Sequence, residues 1–307
     1  MTGLSDQAVA RLREAVATPD LSGTRYRLVD RLGQGGMSTV FLVEDTELQR
    51  KVALKLMDVP ELSIDVTDRL MREARILAQL EHPGIVPVHD VGRLADGRVF
   101  YTMKFVEGRR LDDHIENIAS TGERLRLFER ICETVAFAHV RGVLHRDLKP
   151  ANIMVGPFGE VLVLDWGVAK FVAREDSDRY GSVVGTPGYM APEQERGEVD
   201  KLDQRTDVYA LGVILRRLIS DTHNRSVPRP LKAICDMATA PIPQQRYASA
   251  RDLAADVTRY LDGLSVSAHS EPWWEKAWRW LYRNRAWIML VLAYLLARMV
   301  LLFFYRS

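Results

Sequence analysis

The sequence predicts an α+β fold: a β-rich part, then a mainly helical part, then a membrane-spanning helix. Three observations predict it. Residues alternate with period two from Tyr26 to Met57 and again from Ile85 to Met103, the spacing of half-buried strands. From about residue 109 the apolar positions change to helical spacing, with Phe128, Ile131, Val135 and Ala138 on one stripe. Finally, residues 286–305 are a run of 20 residues with a single charge, Arg298. At ~1.5 Å per residue that run reaches about 30 Å, the thickness of a bilayer core.

Composition excludes little. Apolar residues are 47% and charged residues 27% of the chain, as in an ordinary globular protein, and a net charge of +1 gives no reason to expect a nucleic-acid partner. The charge is unevenly placed. Residues 271–307 hold six Lys/Arg and two Glu, a balance of +4 that leaves −3 for the rest. A basic tail on a mildly acidic body suits an anionic surface. The two cysteines, Cys132 and Cys235, lie in apolar contexts without a CxxC pattern, so two buried free thiols in a reducing compartment are expected. No long apolar run opens the chain, and no signal peptide is expected.

In chain order, Val9, Leu12 and Val16 mark a short amphipathic helix within a leader, residues 1–25. Three strands follow to Met57. The turn between the first two, Gly33-Gln34-Gly35-Gly36-Met37-Ser38, lets backbone N–H groups approach a phosphate chain. In the third strand, Val52-Ala53-Leu54-Lys55-Leu56-Met57, a lysine sits among apolar residues and needs a partner. The helix from about Val66 to Leu80 supplies one, because Glu73 falls on its apolar stripe with Leu70, Leu77 and Leu80. His82-Pro83-Gly84 ends that helix, and two strands flank the Ala95-Asp96-Gly97 turn. The junction near residues 104–109 is a natural ligand cleft. The long helix after it stops at Arg141-Gly142.

The richest stretch is His145-Arg146-Asp147-Leu148-Lys149-Pro150-Ala151-Asn152, followed by Asp165-Trp166-Gly167. Asp147 reads as a base, Lys149 as a phosphate-facing cation, and Asn152 and Asp165 as oxygen ligands for a hard metal such as Mg²⁺.

With these residues in place the chain resembles the eukaryotic-type (Hanks-type) Ser/Thr protein kinases of bacteria, over about Tyr26 to Leu264. The resembling segments are Leu32 to Val40, Val52 to Lys55 with Glu73, His145 to Asn152, Asp165 to Gly167, Ala191-Pro192-Glu193, Asp207 and Arg246. The resemblance implies a bilobal fold with a β-rich N-lobe and a helical C-lobe. It implies ATP and Mg²⁺ as cofactors and protein Ser/Thr hydroxyls as acceptors. Leu32, Gly33, Gln34, Gly35, Gly36, Met37, Ser38, Thr39 and Val40 would cover the nucleotide. Lys55, held by Glu73, would orient its phosphates, Asp147 would take the acceptor proton, Lys149 would offset charge on the γ-phosphoryl, and Asn152 and Asp165 would hold the metal. Val40, Ala53 and Met154 would sandwich the adenine, with Met103 as gatekeeper and Lys104-Phe105-Val106 as hinge. Asp207 would anchor the catalytic loop and Arg246 would pair with Glu193. Arg146 would pair with a phosphate on the activation loop, Ser182 being the favoured autophosphorylation site, while Thr186 would bond Asp147 and Lys149.

The chain departs from the family at two places. Trp166 stands where Phe is usual, and the connection from Ser220 to Pro230 is short where a further helix on a docking surface is usual. A pseudokinase scaffold is the alternative reading, but it typically lacks one of Lys55, Glu73, Asp147, Lys149, Asn152 and Asp165, and all are present.

After the catalytic domain (residues 26–264) comes a basic, Trp-rich juxtamembrane segment, residues 265–285. Five of the six tryptophans lie between Trp273 and Trp287, interleaved with Arg279, Arg283 and Arg285. That belt and charge place the preceding domain in the cytoplasm of a single-pass, tail-anchored protein. Arg298, seven residues from Tyr305, either snorkels outward or marks a contact with a second copy or a membrane partner.

Overall fold

The computed structural model describes residues 18–34, 38–57, 64–118, 120–166, 170–171, 185–220, 227–269, 281 and 284–305. A five-stranded antiparallel sheet forms the N-lobe in the order β1-β2-β3-β5-β4. Its strands are β1 (Tyr26–Gln34), β2 (Ser38–Asp45), β3 (Arg50–Met57), β4 (Val88–Arg93) and β5 (Val99–Lys104). One helix, α1 (Ile64–Gln79), packs against it. Leu70, Leu77 and Leu80 are buried, and Glu73 shares their face.

Past the junction the chain makes β6 (Arg109–Arg110), α2 (Leu111–Ile115) and the long α3 (Thr121–Val140). Ser120 caps α3 by accepting the Glu123 N–H, and Gly142 leaves it at φ +75°, where a side chain would be strained. Phe128, Ile131, Val135 and Ala138 are fully buried. Short strands β7 (Val143–Leu144), β8 (Ile153–Val155), β9 (Val161–Val163) and β10 (Lys170–Phe171) frame the loop between them. The C-lobe is completed by α4 (Pro192–Glu195), α5 (Gln204–Ser220), α6 (Arg229–Ala238) and α7 (Ala250–Leu261). Helices α5 and α6 cross closely at Gly212, where a Cβ would stand 2.7 Å from the Ala238 Cβ. The two lobes meet where Gly84 lies on α3: a Cβ there would fall 2.0 Å from Thr134 Oγ1.

The cysteines are free and buried, and burial pushes the Cys235 thiol up to about 12. Both are therefore inert packing residues.

The last helix, α8 (Arg285–Tyr305), covers the run expected to span a membrane. That expectation is not borne out among the described residues, where no helix is long and apolar enough to cross a membrane. The side chains at 286, 296, 297 and 299–305, which belong to the same apolar run, lie outside the described residues. Of those that are described, Trp287, Met289, Leu290 and Leu292 are exposed and Ile288 is half-buried. Residues 1–17 of the leader, where the short helix was expected, and most of the juxtamembrane segment also lie outside the described residues.

Candidate active site

A cavity of about 460 Å³ opens between the lobes at the junction. Its apolar part is formed by Leu32, Val40, Ala53, Met103, Val106 and Met154, and its polar part by Lys55, Asn152 and Asp165. Gly33, Gln34, Ser38, Lys104 and Phe105 complete the rim expected of a nucleotide loop and hinge. Thr39 departs from expectation. It is buried and does not line the cavity, because period two along β2 turns it to the face opposite Ser38 and Val40. Gly35, Gly36 and Met37 lie outside the described residues.

On the N-lobe wall, Lys55 Nζ meets Glu73 Oε1 at 2.9 Å and Oε2 at 3.0 Å, and reaches across the cavity to Asp165 Oδ1 at 3.0 Å. Burial disfavours the ammonium, but the Tyr101 hydroxyl and the two carboxylates outweigh it and hold Lys55 well above its ordinary value. Burial likewise raises the Asp165 carboxyl. Lys55, His145 and Lys149 overcome that and keep it below the usual carboxylate range. Tyr101 Oη, which sequence reasoning missed, donates to Glu73 Oε1 at 3.0 Å. Tyr101 lies two residues before Met103 and lines the same cavity, a period-two signal that sequence reasoning did not use.

The catalytic loop is held from beneath. Asp207, buried on α5, accepts the His145 N–H at 2.8 Å and the Arg146 N–H at 2.9 Å. His139 Nε2 stands 2.8 Å from the same carboxylate. Desolvation would raise Asp207, yet these hydrogen bonds and the nearby histidines lower it, so it stays an acceptor. His139 is a contact that sequence reasoning missed; its place next to the buried Ala138 on α3 was the available signal. Arg146 takes φ +69° and Asp165 φ +59°. Such left-handed non-glycine residues are costly and concentrate at working sites. Gln194 Nε2 donates to the Arg146 carbonyl at 2.5 Å, joining the loop to α4.

At the loop's tip three side chains converge. Thr186 Oγ1 donates to Asp147 Oδ1 at 2.7 Å. Lys149 Nζ donates to Asp147 Oδ2 at 2.7 Å and to Thr186 Oγ1 at 2.6 Å. Asn152 Nδ2 donates to the Asp147 carbonyl at 2.9 Å, which leaves Asn152 Oδ1 as an oxygen ligand beside Asp165 on the cavity wall. Two hard oxygen donors next to a phosphate-binding space fit Mg²⁺. Trp166 is fully buried, donates Nε1–H to the Val163 carbonyl at 3.2 Å, and packs on His145 with ring centroids 4.6 Å apart. Its extra N–H is therefore satisfied. Ser182 and Ser177 lie outside the described residues.

Below the site, Arg246 and Glu193 form a bidentate pair at 2.7 and 2.8 Å. Between α5 and α6 only residues 221–228 intervene, with 221–226 outside the described residues.

Comparison with known proteins places this architecture. A family model described as protein kinase domain matches residues 26–253. The serine/threonine-protein kinase PknD of Protochlamydia amoebophila (strain UWE25) is 34% identical across 78% of this chain, and that of Chlamydia felis (strain Fe/C-56) is 35% identical across 78%. The chain covers only 30% and 31% of those relatives' lengths. Among solved structures, the PknI kinase domain of Mycobacterium tuberculosis is similar, with a TM-score of 0.58 and 27% identity over 76% of this chain and 96% of that one.

Proposed function

The chain belongs to the protein kinase family, and from that premise we propose that it transfers the γ-phosphoryl group of ATP to Ser and Thr hydroxyls of proteins. The observation that carries this reading is the triangle of Asp147, Lys149 and Thr186, with its 2.6–2.7 Å contacts. A Thr hydroxyl already donates to the Asp147 carboxylate, the contact that an acceptor hydroxyl requires. In the reaction the acceptor oxygen bonds to the γ-phosphorus while its proton passes to Asp147. The bond from the γ-phosphorus to the β–γ bridging oxygen breaks, and ADP leaves with the bonding pair. Lys149 offsets charge on the transferred group, and Lys55 holds the α- and β-phosphates. Mg²⁺, held by Asn152 and Asp165, would supply charge neutralisation for the phosphates. The apolar walls at Val40, Ala53 and Met154 suit a flat base, and the polar end suits phosphates.

Regulation by autophosphorylation follows from the same reading. Ser182 is the favoured site, and Arg146 its phosphate partner. The test is incubation of the full chain with Mg²⁺ and labelled ATP, beside Asp147→Asn. Label on Ser or Thr, Ser182 included, is expected only with Asp147 intact; equal label from both contradicts the reading. A pseudokinase scaffold would bind partners and show no transfer in either.

We further propose that residues 286–305 anchor the protein in a membrane, with the catalytic domain on the cytoplasmic side. Support comes from the 20-residue run with Arg298 as its single charge, the Trp and Arg flank before it, and the exposed apolar side chains of α8. A helix with apolar side chains exposed on several faces suits lipid. The full chain is expected to stay in the membrane pellet through an alkaline carbonate wash; release into the supernatant would contradict anchoring. Arg298 is exposed on that helix and is proposed to contact a second copy or a membrane partner.

A further inference from the structure

Glu73 has two hydrogen-bonding partners among the described residues, and they come from different strands. Lys55 on β3 reaches both carboxylate oxygens, while Tyr101 on β5 donates to Oε1 at 3.0 Å. Oε1 thus receives a cation and a neutral donor at once. Tyr101 is buried to 1% exposure, and its hydroxyl is held well above its ordinary value, first by burial and then by the Glu73 charge. It therefore remains a donor throughout the working pH range.

A glutamate on a helix has three torsions, and a single lysine partner can follow it through several rotamers. A second donor on a neighbouring strand removes that freedom, since the two donors fix the position of Oε1 from separate directions. We propose that Tyr101 is a positioning residue for phosphoryl transfer: its hydroxyl sets the pose of Glu73 and, through Glu73, the place of the Lys55 ammonium opposite Asp165. The inference rests on the kinase reading above, which the family resemblance supports without assigning any role to Tyr101. A purely structural tyrosine would need its hydroxyl satisfied for its own burial and would leave Lys55 indifferent to its loss.

Two measurements on the full chain separate these roles. Tyr101→Phe keeps the ring and removes the donor. Its kcat/KM for ATP is expected to fall about tenfold, the worth of one hydrogen bond to a charged group, with the KM for the protein acceptor unchanged. In a Glu73→Ala background the same substitution is expected to change nothing further, because the effect passes through Glu73. Equal losses in both backgrounds, or no loss in either, overturn the proposal. The second measurement needs no turnover. Acylation of Lys55 by an amine-reactive reagent, mapped by mass spectrometry against Lys104, is expected to speed up in Tyr101→Phe and equally in Tyr101→Met. Unchanged Lys55 reactivity overturns the positioning role even if the kinase is active. A wild-type chain without phosphoryl transfer defeats the kinase reading instead, and the labelling result still decides this one.

Discussion

Two ion pairs, one in each lobe, use similar groups to opposite ends. Arg246 and Glu193 in the C-lobe are wholly enclosed, with side chains 0% and 2% exposed. Arg246 also donates to the carbonyls of Ala240 and Arg205 and lies over the Tyr209 ring, while Thr206 donates to Glu193. The guanidinium fork is used up in one geometry. In the N-lobe pair, Lys55 stands on a cavity wall with Glu73 buried behind it, and Lys55 divides its donors between Glu73 and Asp165. An ammonium is a point charge with rotatable donors, able to turn toward a phosphate without losing every partner. The difference shows that a buried pair fixes the scaffold when all of its donors face protein, and serves chemistry when part of its capacity faces a cavity.

The largest effect that could break this comparison is on stability. Arg246→Ala leaves a buried, uncompensated Glu193 carboxylate, and denaturant unfolding is expected to show a loss of about 3–5 kcal/mol. A variant of unchanged stability but lost activity would reverse the assignment of the two pairs. A smaller effect, of another kind, is expected from Glu73→Gln. Lys55 keeps Asp165 as a partner, so stability should move by no more than about 1 kcal/mol. The kcat/KM for ATP should nevertheless fall about 10- to 100-fold, as charge-assisted hydrogen bonds to Glu73 are lost. Steady-state kinetics beside thermal unfolding check both halves of that statement.

Much of this was legible in the sequence because spacing fixes faces. Period two along β3 put Lys55 inward, and the 3.6-residue period along α1 put Glu73 toward it, so a pairing could be inferred before any distance was known. The catalytic loop was legible because so many chemistry-bearing residues fall within eight positions. What spacing does not give is the third partner. Tyr101 and His139 lie on elements the sequence did predict, yet the acceptor each meets lies on another element, Glu73 on α1 and Asp207 on α5. Their roles depend on how the elements pack. Thr39 shows the converse: adjacent to Ser38 and Val40 in a resembling segment, it was counted with the nucleotide loop, but strand alternation buries it on the other face. The terminal helix is a third case. Its apolar length was plain from the sequence, whereas what surrounds it is a property of its environment rather than of the chain.

The loop and the N-lobe pair also differ in how they are built. Asp207 grips the loop through two backbone N–H groups, which side-chain substitution within the loop leaves in place. Lys55 is set by side chains alone and is open to adjustment by each of them. The loop should therefore tolerate loss of the Asp147 carboxylate without moving.

That makes Asp147→Asn the most direct test of the central claim that this loop performs phosphoryl transfer. The measurement is single-turnover transfer from Mg²⁺-ATP to a Ser/Thr-containing protein, comparing the full wild-type chain with the variant. The expected result is a rate lower by about 10²–10⁴-fold, the usual worth of a positioned general base, with thermal stability and ATP binding kept. Equal rates from the two chains would contradict the account.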